Sequence, residues 1–297
     1  MAAVAALVLA GSAGCFGADH APAGGVKART VSSKIEGSVK VERIVYTTFD
    51  GTRVPALLAI PRATPPRGCL VWENGLGSRK EDSSSVWPGA AGLGLATFSI
   101  DFRYHGERAE NPDELERVLR RPARVADLVR GSVSDLARGL DYLDSRPECR
   151  HNLGYAGLSL GGMIGTVLSG RDRRVRASVI MSTPPSWRAL LRRTDLILPG
   201  IEKKPGLLRA ALQMLSPLDP ERWIGKIAPR PVMVMIGRRD QLVPPAAARE
   251  VEAAARDPKL VINYNGGHIP LTGKASARNA GRIGSFLLRY LVRPTYR

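Results

Sequence analysis

This chain is poor in the residues that carry chemistry in several other protein classes. Its 297 residues include 3 Cys and 4 His, and no Cys-x-x-Cys or His-Glu-x-x-His spacing occurs. Structural zinc sites and zinc proteases need such spacings, so no metal is expected. Aromatic residues make up 5% of the chain, and no Arg-rich stretch is interleaved with them. The net charge of +17 therefore points to a solvated arginine-rich surface, drawn to anionic surfaces or acidic substrates, and not to a nucleic-acid partner. No apolar run reaches about 18 residues, so no transmembrane helix is expected.

The N-terminus has an apolar stretch over residues 3–10 followed by small residues, and Ala13-Gly14-Cys15 is similar to a lipoprotein cleavage site. No Lys or Arg precedes the stretch, and Ser12 stands where an apolar residue is usual. The expectation is an exported chain, periplasmic or membrane-anchored through Cys15, with a cytoplasmic chain as the alternative. Residues 1–30 read as a signal-like or disordered segment. Residues 31–297 read as one domain, since a hydrophobic fraction of 44% at this length fits a single full core.

Apolar, β-branched runs predict a hairpin of Val41–Thr48 and Val54–Ile60 around Asp50-Gly51. They further predict strands at Cys69–Glu73, Ala96–Asp101, Leu153–Ala156, Val175–Met181, Pro231–Ile236 and Leu260–Tyr264. Helical periodicity lies between them, at Ser132–Leu143, Pro245–Ala255 and Ala275–Leu291. Strands alternating with helices imply an α/β protein with a mostly parallel sheet of about eight strands, covered on both faces. The leucine-rich stretch 184–229 interrupts this alternation. It reads as a small helical lid that covers the active site with an apolar pocket, although each leucine singly fits ordinary helix packing.

Gly157-Leu158-Ser159-Leu160-Gly161 closes the strand at Leu153 and opens a helix. This is the Gly-x-Ser-x-Gly pattern of a nucleophile elbow, in which a strained turn lifts the serine above the sheet and only small residues fit on either side. A serine nucleophile needs a base, and the base needs an orienting acid. Of His20, His105, His151 and His268, only His268 follows Ser159, in Asn265-Gly266-Gly267-His268 after a strand. Asp240 follows the run Pro231–Ile236, at the strand end where open α/β sheets carry their chemistry.

Ser159, Asp240 and His268 with their flanking strings resemble the α/β-hydrolase superfamily, especially its dienelactone-hydrolase-like and acetyl-xylan-esterase-like members. The resemblance runs from about Val41 to Leu291. It includes Val71-Trp72-Glu73-Asn74-Gly75-Leu76-Gly77-Ser78, similar to the oxyanion loop, and Asp101-Phe102-Arg103-Tyr104-His105-Gly106-Glu107, similar to an Asp-x-Arg-x-His-Gly segment. Lys226-Ile227-Ala228-Pro229-Arg230-Pro231 is similar to the lead-in to the acid-bearing strand.

The resemblance implies the α/β-hydrolase fold and hydrolysis of a small or medium carboxylic ester without a cofactor. Ser159 would be the nucleophile, His268 the base and Asp240 the acid, with the backbone N–H groups of Leu160 and Leu76 as the oxyanion hole. Asn74 replaces the superfamily's usual His before Gly75, and local hydrogen bonding would let it brace the loop. His105 is the rival base and Asp101 the rival acid, the latter with Arg103 as a structural partner. The resemblance also puts Cys69 and Cys149 near one edge of neighbouring strands, where either a disulfide or two unrelated thiols fit. The alternatives to an esterase are a prolyl-oligopeptidase-like peptidase and a catalytically silent binding module on the same scaffold.

Overall fold

The computed structural model describes residues 25–149 and 151–292. Cys15, His20 and the rest of the signal-like run through residue 24 lie outside the described residues. The fold begins with three antiparallel strands, β1 (Ala28–Glu36), β2 (Val39–Thr47) and β3 (Arg53–Pro61). Six further strands follow: β4 (Gly68–Glu73), β5 (Leu95–Ile100), β6 (Leu153–Leu158), β7 (Val175–Met181), β8 (Val232–Gly237) and β9 (Lys259–Tyr264). Their order across one sheet is β1-β2-β3-β5-β4-β6-β7-β8-β9. β3 meets β5 antiparallel, and every pairing from β5 to β9 is parallel.

The sheet has nine strands where the apolar patterns give eight. β1 accounts for the difference, and its first three residues fall inside the segment read as leader-like. Every residue of β1 is exposed or half-buried, so its sequence ARTVSSKIE carries no apolar alternation. The hairpin after β2 forms as expected: Gly51 takes a left-handed φ of +80°, and Thr48 N–H bonds to Thr52 O at 3.0 Å.

The connections form α1 (Trp87–Gly92), α2 (Glu114–Leu119), α3 (Pro122–Ser145), α4 (Leu160–Arg171), α5 (Trp187–Leu191), α6 (Pro205–Leu215), α7 (Pro220–Trp223), α8 (Pro245–Ala254) and α9 (Ser276–Leu287). α1 and α9 cover one face of the sheet. Ile283, Phe286 and Leu287 of α9 pack there on Leu70, Trp72 and Met233. α3, α4 and α8 cover the other face, over Tyr46, Val71, Phe98 and Tyr155. α3 starts ten residues before the expected Ser132, at Pro122, whose missing N–H costs nothing at a first helical position.

The stretch 184–229 is helical, with α5, α6 and α7 in it. Its leucines mostly point inward: Leu191, Leu198, Leu212 and Leu215 are buried in the main core. A cleft of about 520 Å³ opens beside α6, lined by Arg188, Leu208, Arg209, Leu212 and Arg222 among others, and by none of the candidate site residues.

Cys69 in β4 and Cys149, just before β6, form a disulfide with a Cα–Cα distance of 4.8 Å. Cys69 pairs directly with Leu153 at the start of β6, so the bond staples the amino ends of the two central strands.

Candidate active site

β6 ends at Leu158 and α4 begins at Leu160, leaving one residue for the turn. Ser159 occupies it with φ 55° and ψ −114°, a conformation unfavourable to any residue with a Cβ. A turn this sharp brings backbones into contact. A Cβ on Gly157 would lie 2.5 Å from Gly161 O, and one on Gly161 would lie 2.5 Å from Asn74 O. Both glycines of the motif are thus steric requirements. Ser159 N–H donates to Met181 O at 2.9 Å, fixing the elbow against β7.

The loop after β4 runs past the serine. A Cβ on Gly75 would be 3.4 Å from Ser159 Cβ. Gly77 takes φ +81°, and Ser78 N–H closes the turn on Gly75 O at 3.3 Å. Asn74 braces this loop, as anticipated: its Oδ1 accepts from Trp72 Nε1 at 3.2 Å and its carbonyl accepts from Gly161 N–H at 3.1 Å. Below it, burial pushes the Glu73 carboxyl well above the usual range, and Glu73 Oε1 accepts Ile100 N–H at 3.0 Å. Leu76 is the next residue of this loop after Gly75. Leu160 is the first residue of α4, where an N–H has no intrahelical partner.

Asp240 and His268 meet on loops from adjacent strands. Asp240 follows β8, and its side chain is fully buried. Its Oδ1 accepts the N–H groups of Leu242 at 3.0 Å and Val243 at 2.8 Å, which fixes the carboxylate plane. His268 Nδ1–H donates to Asp240 Oδ2 at 2.8 Å. A carboxylate can only accept, so Nδ1 carries a proton in this contact, and Nε2 is the ring nitrogen that does not face Asp240. The two loops are also joined through the backbone, by Arg238 N–H to Tyr264 O at 3.0 Å and Arg239 N–H to Gly266 O at 2.9 Å.

The structure thus brings together Asp240 and His268, two of the residues singled out from the sequence. The Ser159 hydroxyl makes no hydrogen bond to His268 among the described residues. Two side chains of this region carried no sequence signal. Tyr264 O–H donates to Gly267 O at 2.6 Å, and Ser182 Oγ lies 3.0 Å from the same phenol oxygen.

The rivals are occupied elsewhere. His105 is buried with Nδ1 bonded to Arg103 O at 2.9 Å and its ring edge-on to Phe102; burial holds its pKa below the ordinary value. Asp101 is structural, but its partner is not Arg103. Its Oδ2 pairs with the buried Lys80 Nζ at 2.9 Å, and its Oδ1 accepts Lys80 N–H at 2.9 Å. Arg103 instead forks onto Asp135, with both contacts at 3.1 Å, and reaches Asp50 at 2.6 Å. Sequence adjacency misleads here because both residues lie past the end of β5, where the strand's side-chain alternation no longer applies, and Arg103 is drawn to α3, its N–H on Ser132 Oγ at 3.2 Å and its guanidinium on Asp135.

No protein-family profile matches the chain. An uncharacterised Salmonella typhi protein, YfhR, is 22% identical over 246 residues, covering 77% of this chain and 75% of that protein. Among solved structures, acetyl xylan esterase 1 of Thermoanaerobacterium sp. superposes with a TM-score of 0.68 at 19% identity, covering 89% of this chain and 87% of that one. The Pyrococcus furiosus esterase Pf2001 gives 0.66 at 17% identity, covering 90% and 100%. A cold-adapted esterase from an Arctic intertidal metagenomic library gives 0.64 at 18% identity, covering 88% and 98%. The chain has the α/β-hydrolase fold these structures share.

Proposed function

We propose that this chain is a serine hydrolase of small or medium carboxylic esters. One observation carries the reading: a buried carboxylate holds the His268 Nδ1–H at 2.8 Å, on loops at the same end of the sheet as a serine in a strained elbow. Ser159 Oγ attacks the ester carbonyl carbon as its proton passes to His268 Nε2. Asp240 steadies the resulting imidazolium, and the N–H groups of Leu160 and Leu76 donate to the oxyanion. Collapse expels the alcohol, which takes the proton from His268. Water then repeats the sequence on the acyl-enzyme and frees the acid. That the solved structures sharing this fold are esterases supports an ester over an amide.

We also read the chain as exported, because the Cys69–Cys149 disulfide suits an oxidising compartment. The test of function is a panel of p-nitrophenyl esters and peptide amides on the purified protein and its Ser159→Ala variant. Ester turnover and fluorophosphonate labelling are expected in the wild type and lost in the variant. Turnover at the wild-type rate by Ser159→Ala would overturn the proposal.

A further inference from the structure

We propose that the Tyr264 hydroxyl is a positioning group that sets where His268 stands relative to Ser159; the inference rests on the triad reading above. Tyr264 closes β9, four residues before His268, and is 2% exposed. Its O–H donates to Gly267 O at 2.6 Å, with His268 O a further 3.3 Å contact. That commits the phenol's single proton, so Ser182, at 3.0 Å, donates its own hydroxyl proton to the phenol oxygen.

Ser182 directly follows Met181, whose carbonyl accepts the Ser159 N–H. A short relay therefore joins the backbone of the nucleophile to the backbone of the base. It passes from Ser159 to the end of β7, from Ser182 to the phenol, and from the phenol to the carbonyls of Gly267 and His268. It spans the two residues that share no direct bond in this structure.

The surroundings are shaped for that oxygen. Ser182 takes φ +47°, a left-handed conformation unusual for serine. A Cβ on Gly237 would lie 2.9 Å from the phenol oxygen and 2.4 Å from Gly267 O. A Cβ on Gly266 would lie 2.8 Å from the ring. The ring belongs to the core cluster beneath α9, a role a phenylalanine would fill equally well. What a phenylalanine would lack is the oxygen, and all three of its contacts are on residues within one position of a triad member or its backbone partner. Burial, first of all, pushes the phenol up to about 12, so it stays a neutral donor across any assay pH. Two glycines before His268 leave the loop free to wander, and a fixed phenol at their root removes that freedom.

The test compares wild type, Tyr264→Phe, Ser182→Ala and the double variant for kcat, KM, the rate of fluorophosphonate labelling and the melting temperature. A misplaced base slows chemistry and leaves binding alone. Tyr264→Phe is expected to lower kcat about tenfold or more, with KM within about twofold and labelling slowed by the same factor. Ser182→Ala is expected to give a smaller loss. The double variant should match Tyr264→Phe, because Ser182 acts through the phenol. A folded Tyr264→Phe that melts lower yet keeps wild-type kcat and labelling overturns the inference. If Tyr264→Phe does not fold, an unchanged kcat in Ser182→Ala overturns it instead. Ser159→Ala separates the two levels: loss of turnover in that variant beside full activity in Tyr264→Phe refutes the positioning role alone, whereas an active Ser159→Ala refutes the triad.

Discussion

Replacing Cys69 and Cys149 together by alanine should cost several kcal/mol of stability and leave the chemistry untouched. The bond closes a loop with a sequence separation of 80 residues. The chain-entropy relation for a loop of that length gives about 4.5 kcal/mol at 25 °C, an upper figure since structure persisting in the unfolded chain reduces it. At roughly 2 °C per kcal/mol for a domain of this size, the melting temperature should fall by about 9 °C. Both cysteines are 0% exposed, so reductant added to the native protein should have little effect until the chain opens. The staple sits at the amino ends of β4 and β6, whereas Ser159 lies beyond the carboxyl end of β6, so kcat at 25 °C should be unchanged. Thermal melts by circular dichroism, with wild type unfolded with and without reductant beside the double alanine variant, make the measurement. A double variant melting within about 2 °C of the oxidised wild type would refute the reasoning.

Two further pairs of measurements follow from the buried charges. Asp240→Asn should lower kcat by about 10⁴, the scale seen when a triad aspartate loses its charge, with little change in melting. Asp101→Asn should retain kcat at 25 °C and destabilise by about 3 kcal/mol, because the buried Lys80 loses part of its compensation; the reverse pattern in kinetics and melts would exchange their roles. Asp219 accepts Trp187 N–H at 2.7 Å, and burial above all raises it to about 6 from 3.8. The folded state thus holds this proton more tightly than the unfolded chain, and stability is lost as pH rises from about 4 through about 6. Asp219→Asn keeps the acceptor and should raise stability at pH 7 by about 2 kcal/mol, with the gain gone near pH 4, as read from urea melts at both pH values.

What the sequence conveys well is whatever is dictated by local sterics or by burial on both faces. β4 through β8 are wholly or almost wholly buried, and their apolar runs mark them within a residue or two. Gly157 and Gly161 are legible because a backbone contact admits nothing larger. β1 is illegible for the opposite reason: neither face is buried, so its pairing with β2 is made by backbone groups that every residue possesses. The Lys80–Asp101 pair bridges 21 residues with no periodicity to betray it. Tyr264 ends a strand that the sequence marks, but nothing in the sequence singles out its side chain, because the hydroxyl's contact is with Ser182, 82 residues away. The 184–229 segment shows the limit of composition: leucine content foretells helices there but cannot distinguish a face turned to the core from one turned to a substrate.

Serine is among the best residues for starting a helix, because its hydroxyl can accept the amides of the first turn. Ser159 stands at that position of α4 and makes no such bond. Its backbone is bent into a conformation that glycine would adopt freely, and the helix it begins is left without its natural side-chain acceptor. On the proposed reading, the acceptor that completes the helix is the substrate oxygen at the moment it becomes negative. The resting fold thus holds both a strained backbone at Ser159 and an uncapped helix start, and only the helix start gains a partner during turnover. A glycine at position 159 would abolish catalysis and, by the same account, leave a protein harder to unfold than the one that works.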